Sequence, residues 1–328
     1  MNYIITTRCD KGCPYCFATT GRNKKYMSKF DYSLEQFKEY LDKNVEPSIK
    51  LLGGEPTSHP EFILFAEEAL KRNKEITLIS NFLFNDEIRE YLVNKINHGA
   101  PFHFLVNSTD LDQFNRIEKW SKNYNEIYLA LYNQGKEENI SCGITFVDNI
   151  SPEQYMKYLD FLLEHIYKIE RLRLSISFPP GDKKKVANYA INNLELGEKF
   201  NKIIAYCLTK FIKPSLDCII YPCMFENKEQ FKIAKNFMDS TKFKCNEGKG
   251  GGPADLFPDG SVSYCYPLKE VIKLDFGDYK NSHEVGKALK AAYTLKEQEE
   301  IDNLPEACKA CKFFKSNLCA GPCLGMRL

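Results

Sequence analysis

Apolar and polar positions repeat a two-part pattern along the first two thirds of the chain: a short apolar run, then a longer amphipathic one. The short runs cover residues 2–7, 48–52, 75–79, 102–106, 141–147 and 171–178. Each has strand length and is rich in branched or aromatic residues, so each predicts a buried β-strand. In the last run Leu172, Leu174 and Ile176 alternate with Arg173, Ser175 and Ser177, which predicts one core face and one polar face. The longer runs carry apolar residues at helical spacing. Over 33–43, Ser33 is the expected N-cap, with Leu34, Phe37, Tyr40 and Leu41 recurring behind it. Further helices are expected from His59-Pro60-Glu61 to Arg72, from Asp86 to about His98, and from Leu111 to Tyr132 with a candidate break at Tyr124-Asn125. Ser151-Pro152 opens another, to Lys168, with Pro at the first helical position. Six strand–helix units in order predict an α/β fold, a parallel partial (β/α)6 TIM-like barrel over residues 1–210.

After Pro179-Pro180-Gly181 the pattern changes. Val186 to Phe211 reads as helix, ended by Pro214, and cysteine spacing then dominates. Cys218 and Cys223 have four residues between them, Cys245 precedes a Gly-rich loop, and Asp259-Gly260 marks a hairpin before Cys265. Cys308, Cys311, Cys319 and Cys323 follow, with gaps of two, seven and three. A small Cys-rich domain is expected over 211–328.

Composition narrows the functional classes. The 328 residues are 43% hydrophobic and 27% charged, enough for a large core. The net charge of +1 supplies no general attraction to nucleic acid or anionic membrane, so neither is an expected partner. No apolar run approaches the roughly 20 residues of a membrane span. The start, MNYIITTR, lacks the parts of a signal peptide. Thirteen cysteines, an odd count clustered at 9–16 and 218–323, fit iron–sulfur ligation in a reducing cytoplasm better than a disulfide framework.

The candidate chemistry begins where the first strand ends. Cys9, Cys13 and Cys16 form C-x3-C-x2-C, one thiolate fewer than a closed four-ligand site. Three thiolates on a four-iron cube leave one iron open. A zinc knuckle is the alternative, but it needs a second ligand pair, and no His lies nearby. The second strand ends in Gly53-Gly54-Glu55-Pro56-Thr57, where glycines permit close backbone approach and Glu55 can accept a hydrogen bond from an ammonium group. Ser80-Asn81 and Asn107-Ser108 sit at the ends of the third and fourth strands, as site residues or as turn formers. Cys142 and Cys207 stand apart from the clusters, as core thiols or as hydrogen-atom donors to a substrate radical.

C-x3-C-x2-C with Tyr15 before the last Cys, followed by the GGEP stretch, resembles the radical S-adenosylmethionine (radical SAM) enzymes. The resemblance implies a [4Fe–4S] cluster on Cys9, Cys13 and Cys16, whose open iron is chelated by the amino and carboxylate groups of S-adenosylmethionine. It implies that Gly53, Gly54, Glu55 and Pro56 bind the amino group, and that Ser80, Asn81, Asn107 and Ser108 contact the cofactor or the substrate. It places Gly143, Ile144 and Thr145 against the adenine. Cys245-x14-Gly260-x4-Cys265 followed by C-x2-C-x7-C-x3-C is similar to the SPASM or shortened "twitch" domain of radical SAM peptide maturases, which carries auxiliary [4Fe–4S] clusters. Two features depart from that pattern: the middle gap is seven rather than five, and the last, downstream Cys is missing. Cys218 and Cys223 bring the thiols to eight, enough for two clusters, unless those two are buried structural cysteines. Spacing does not assign ligands to clusters.

The expected activity is reductive cleavage of S-adenosylmethionine and hydrogen-atom abstraction from a peptide, as in maturation of a ribosomally made peptide by cross-link, thioether or epimerisation. Implied partners are a short precursor peptide, a separate leader-binding protein, and an electron donor such as flavodoxin or ferredoxin. The alternatives are a radical SAM enzyme acting on a small molecule or on a protein Cys or Ser, and a non-catalytic iron–sulfur carrier.

Overall fold

The structure is a computed structural model that describes residues 1–11, 13, 16, 31–109, 116–146, 150–176, 191–216, 220–237 and 254–327. Tyr15, Cys218 and Cys245 lie outside them. The expected α/β architecture is present. Strands β1 (Asn2–Thr6), β2 (Ser48–Gly53), β3 (Glu75–Ser80), β4 (Phe102–Asn107), β5 (Ile140–Phe146), β6 (Arg171–Ile176) and β7 (Lys213–Leu216) lie side by side in chain order, all parallel. That order is consistent with a partial barrel.

Helices α1 (Leu34–Lys43), α2 (Phe62–Lys71), α3 (Asp86–Asn97), α4 (Ile117–Tyr132), α5 (Pro152–His165) and α6 (Leu194–Thr209) fall between successive strands and cover one face of the sheet. Onto that face point Ile49, Leu51, Ile76, Leu78, Phe104, Val106, Ile144 and Phe146, all buried. Phe146, for example, meets Tyr155 of α5 and Phe200 of α6 edge-on. Full burial of such a side chain contributes roughly 1.5–3 kcal/mol. The opposite face carries Thr77, His103, Ser141, Thr145, Arg173 and Ser175, polar and half-buried. Side chains alternate across a strand, so these polar positions share that face; Thr77 stands beside His103 and Thr145 beside Ser175, while Ser141 neighbours Leu105 and Arg173 neighbours Gly143.

Several helix boundaries differ from expectation for identifiable reasons. The third helix is capped by Asn85, whose side chain accepts from Ile88 N–H, and Asp86 is its first residue. The second starts at Phe62 because the His59 ring is committed to the Tyr32 carbonyl and to Glu61 N–H. Helix α4 runs unbroken through Tyr124-Asn125. Trp120, Tyr124, Tyr128 and Tyr132 stack along it in successive pairs, while Asn125 bonds His165 O and Tyr167 N. Described helix in the stretch before Pro214 begins at Leu194, capped by Asn193. Ser151 and Gln154 form the capping box of α5.

The C-terminal third joins the same sheet at both edges. Strand β7 extends it beyond β6. Strand β8 (Asp255–Leu256) pairs in parallel with β1, and the antiparallel strands β9 (Ser261–Ser263) and β10 (Leu274–Asp275) follow outward. The Asp259-Gly260 hairpin forms as expected, with Gly260 at φ +79°. The ten strands order as β10-β9-β8-β1-β2-β3-β4-β5-β6-β7.

Candidate functional site

The carboxyl ends of β1, β2 and β3 meet around the segment that leads into Cys9. Gly54 N–H donates to Thr6 O at 3.0 Å and Glu55 N–H to Arg8 O at 2.6 Å. A Cβ on Gly53 would lie 2.2 Å from Thr6 O, and one on Gly54 2.2 Å from Arg8 O. No side chain fits there. The two glycines serve a close approach, as expected, but the partner is the chain's own backbone at the root of the cysteine loop.

Glu55 is buried, at 3% exposure, and its carboxylate gathers four donors. Oε1 accepts from Thr57 N–H at 3.2 Å, Thr57 Oγ1 at 2.6 Å and Ser80 Oγ at 2.8 Å; Oε2 accepts from Asn81 N–H at 2.7 Å. Burial pushes this carboxyl above its ordinary range, against the pull of those hydrogen bonds. Two lone pairs per oxygen leave Oε2 with acceptor capacity for one more donor. Asn81 also reaches the cysteine loop, its Nδ2 donating to Asp10 Oδ1 at 2.9 Å. Arg116, at the start of α4, holds the other Asp10 oxygen at 3.4 Å, and Arg8 is paired with Asp31 at 2.6 Å. The loop is thus tied to the ends of β2 and β3 and to α4.

On that loop Cys9 is exposed, Cys13 and Cys16 are half-buried, and none is in a disulfide. Cys16 N–H donates to Cys13 O at 3.0 Å, and Cys16 packs against the small apolar cluster of Ile4, Phe257 and Tyr266. Among the described residues no three His, Cys, Asp or Glu converge closely enough for a single metal ion. An iron–sulfur cube takes one thiolate per iron, so its ligands stand farther apart than those of one ion. Three thiols fit such a cluster by donor chemistry.

Gly53, Gly54, Glu55, Ser80 and Asn81 therefore meet at the cysteine loop, while Pro56 opens the short 3-10 turn Pro56–Ser58 behind them. Asn107 is exposed at the end of β4, its Oδ1 3.4 Å from where a Gly143 Cβ would be. Ser108 is fully buried and donates to Gly143 O and Val106 O, so its hydroxyl is turned into the protein. Beyond them Thr109 Oγ1 accepts Thr145 N–H, and Thr145 and Ser175 pair at 2.9 Å. The structure does not bring Cys142 or Cys207 to this group. Cys142 lies fully buried on the helix-facing side of β5 beside Tyr124, and Cys207 is buried on α6; burial pushes both thiols up to about 12. Asp10, Thr57 and Arg116 belong to the site and were not singled out by sequence. Only Thr57, two residues after a carboxylate that accepts its N–H, carries a local signal.

At the C-terminal end Cys223, Cys308, Cys311 and Cys319 line one cavity, with Tyr221, Pro222, Phe313 and Phe314. Cys265 and Cys323 are half-buried and absent from that lining.

Comparison with solved structures finds SuiB of Streptococcus suis. In its S-adenosylmethionine-bound form the TM-score is 0.65 at 16% identity, covering 98% of this chain and 72% of that one. Bound to its precursor peptide SuiA the TM-score is 0.58 at 15% identity, covering 85% and 62%. At such identity the likeness is one of fold, and this chain spans less than two thirds of the peptide-bound one. No curated protein matches the chain. Residues 3–162, which span β1 to α5 and hold the cysteine loop and the Glu55 seat, match the family model described as Radical SAM superfamily, so the chain carries a Radical SAM domain.

Proposed function

We propose that this chain is a radical SAM enzyme that reductively cleaves S-adenosylmethionine and removes a hydrogen atom from a peptide, as a maturase of a ribosomally made peptide. The observation that carries the reading is the seat built by Gly53, Gly54 and Glu55 directly against the root of the Cys9/Cys13/Cys16 loop. When bound, the [4Fe–4S] cluster and S-adenosylmethionine supply one-electron reduction and a 5′-deoxyadenosyl radical. The chain's residues hold and orient. Cys9, Cys13 and Cys16 are the thiolate ligands, and Glu55 Oε2 is the acceptor for the ammonium group. Asn107, Arg173, Thr145 and Ser175, toward the carboxyl ends of β4, β5 and β6, form the face on which cofactor and substrate lie. Residues 211–328 form the SPASM/twitch-like domain with one or two auxiliary [4Fe–4S] clusters, two being favoured by the count of eight thiols. The fold likeness to SuiB, itself solved with a precursor peptide, supports a peptide substrate.

The test is anaerobic reconstitution with dithionite as electron donor. 5′-Deoxyadenosine should form with the parent chain and be lost in Cys9/Cys13/Cys16→Ala; absence from the parent sinks the reading. Mass spectrometry of a precursor peptide encoded beside the enzyme should then show a mass change. An unchanged peptide beside active cofactor cleavage would favour a small-molecule or protein Cys/Ser substrate.

A further inference from the structure

Spacing leaves the C-terminal thiols unassigned, but the placement of four of them brings them to one cavity. We infer that Cys223 supplies the fourth thiolate to an iron–sulfur cluster whose other ligands are Cys308, Cys311 and Cys319. The inference rests on the proposed auxiliary-cluster domain and names one of its sites.

Three observations carry it. The four cysteines line a single cavity whose remaining walls are mainly apolar, including Ile191, Pro222, Phe313 and Phe314, and the apolar surroundings of a cluster help set its potential. Cys223 and Cys319 each receive a backbone N–H on sulfur: Asn192 N donates to Cys223 Sγ at 3.5 Å and Gly321 N to Cys319 Sγ at 3.4 Å. Hydrogen bonds to ligand sulfurs are among the features that tune a cluster's potential. The backbone, finally, is shaped to deliver these thiols. Cys311 N–H closes the C-x2-C turn on Cys308 O at 3.0 Å. Within the seven-residue gap that follows, the turn Lys312–Lys315 and Asn317 at φ +58° reverse the chain, and both Leu318 and Cys319 donate to Phe313 O. The extra length is used to bring Cys319 back. The backbone just after Cys223 lies close against α6, where a Cβ on Gly197 would lie 1.9 Å from Met224 O. Cys323 is held beside the cavity wall, its N–H donating to Tyr221 Oη at 2.7 Å.

Four protein thiolates close a cluster and leave no open iron. This site therefore passes electrons or braces the domain and does not ligate substrate. Cys265 and Cys323 remain for a second cluster with Cys218 and Cys245.

The test uses the full chain carrying Cys9/Cys13/Cys16→Ala, reconstituted anaerobically, with iron and sulfide counted and reduced EPR spectra recorded. Cys223→Ala, Cys311→Ala and the pair together should each lose the same roughly four irons. Cys223→Ser, with an unchanged melting curve, should keep a cluster with a shifted EPR signal, which separates ligation from misfolding. The assignment is overturned if Cys223→Ala retains all iron and an unaltered spectrum, or if the paired variant loses about twice the iron of either single one. Iron absent from the starting variant would overturn the auxiliary-cluster reading itself.

Discussion

A Cβ on Gly54 would lie 2.2 Å from the carbonyl oxygen of Arg8, so the end of β2 and the root of the cysteine loop are in backbone contact. Glu55 N–H seals the contact by donating to that same oxygen at 2.6 Å. Gly54→Ala must therefore separate the two segments. Overpacking of this kind costs typically 1–3 kcal/mol, and here the strain falls directly before Cys9. The variant should melt several degrees lower and incorporate iron poorly at the N-terminal site. Normal iron content on the Cys9/Cys13/Cys16 cluster, with its EPR signal intact, would show that the contact does not position the loop.

Glu55 is an acceptor surrounded by donors. Glu55→Gln keeps the shape but turns one oxygen into an NH2 group, which must face either Asn81 N–H or the Thr57 and Ser80 donors. The two hydroxyls can rotate and the backbone N–H groups cannot, so a buried donor is left opposed to a donor, at a cost of about 1–3 kcal/mol. Affinity for S-adenosylmethionine, measured by calorimetry on the reconstituted protein, should fall about tenfold or more. Unchanged affinity together with a lowered melting point would make Glu55 a bracing residue alone.

The elements were legible because the repeat of short apolar and long amphipathic runs is strong, and each parallel strand buries one face under helices. Ile49 and Leu51, or Leu172 and Leu174, show the period directly. Boundaries were less legible where side chains outside the local pattern decide them, as with the His59 ring before α2 and the aromatic stack through Tyr124 in α4. At the site, Gly53, Gly54 and Glu55 could be picked out because few residue types tolerate that position. Asp10 and Arg116 could not, because an exposed Asp–Arg pair across 106 positions leaves no local trace. Likewise, no spacing rule joins Cys223 to Cys308, and only the fold brings them to one cavity.

Asn81 couples the end of β3 to the cysteine loop through Asp10. Asn81→Asp would set a carboxylate against the Asp10 carboxylate across a 2.9 Å contact. With Asn81 buried at 5% exposure and Asp10 exposed, the repulsion is on the order of a few kcal/mol before the loop relaxes. The loop should move, lowering iron retention on Cys9, Cys13 and Cys16, and the added buried charge should lower the melting temperature as well. Salt screens such a repulsion, so iron retention should recover partly at high ionic strength. Retention insensitive to salt would argue that Asn81 does not act through Asp10.

Asp255 ties β8 to β1 by accepting from Asn2 Nδ2 at 2.7 Å. It is 6% exposed, and burial pushes its carboxyl up to about 6, only partly offset by that bond and by Tyr266 N–H. Between an unfolded value near 3.8 and a folded value near 6, the native state keeps a proton that the unfolded chain has released. Stability contributed by this group is therefore complete below about pH 4, falls as pH rises through the window, and is flat above it, a total change of about 2–3 kcal/mol. Asp255→Asn removes the titration while retaining an acceptor for Asn2. Denaturant unfolding of both proteins from pH 4 to 7 should show the variant gaining on the parent by that amount as pH rises. A difference that stays constant across the range would mean that Asp255 does not titrate with folding.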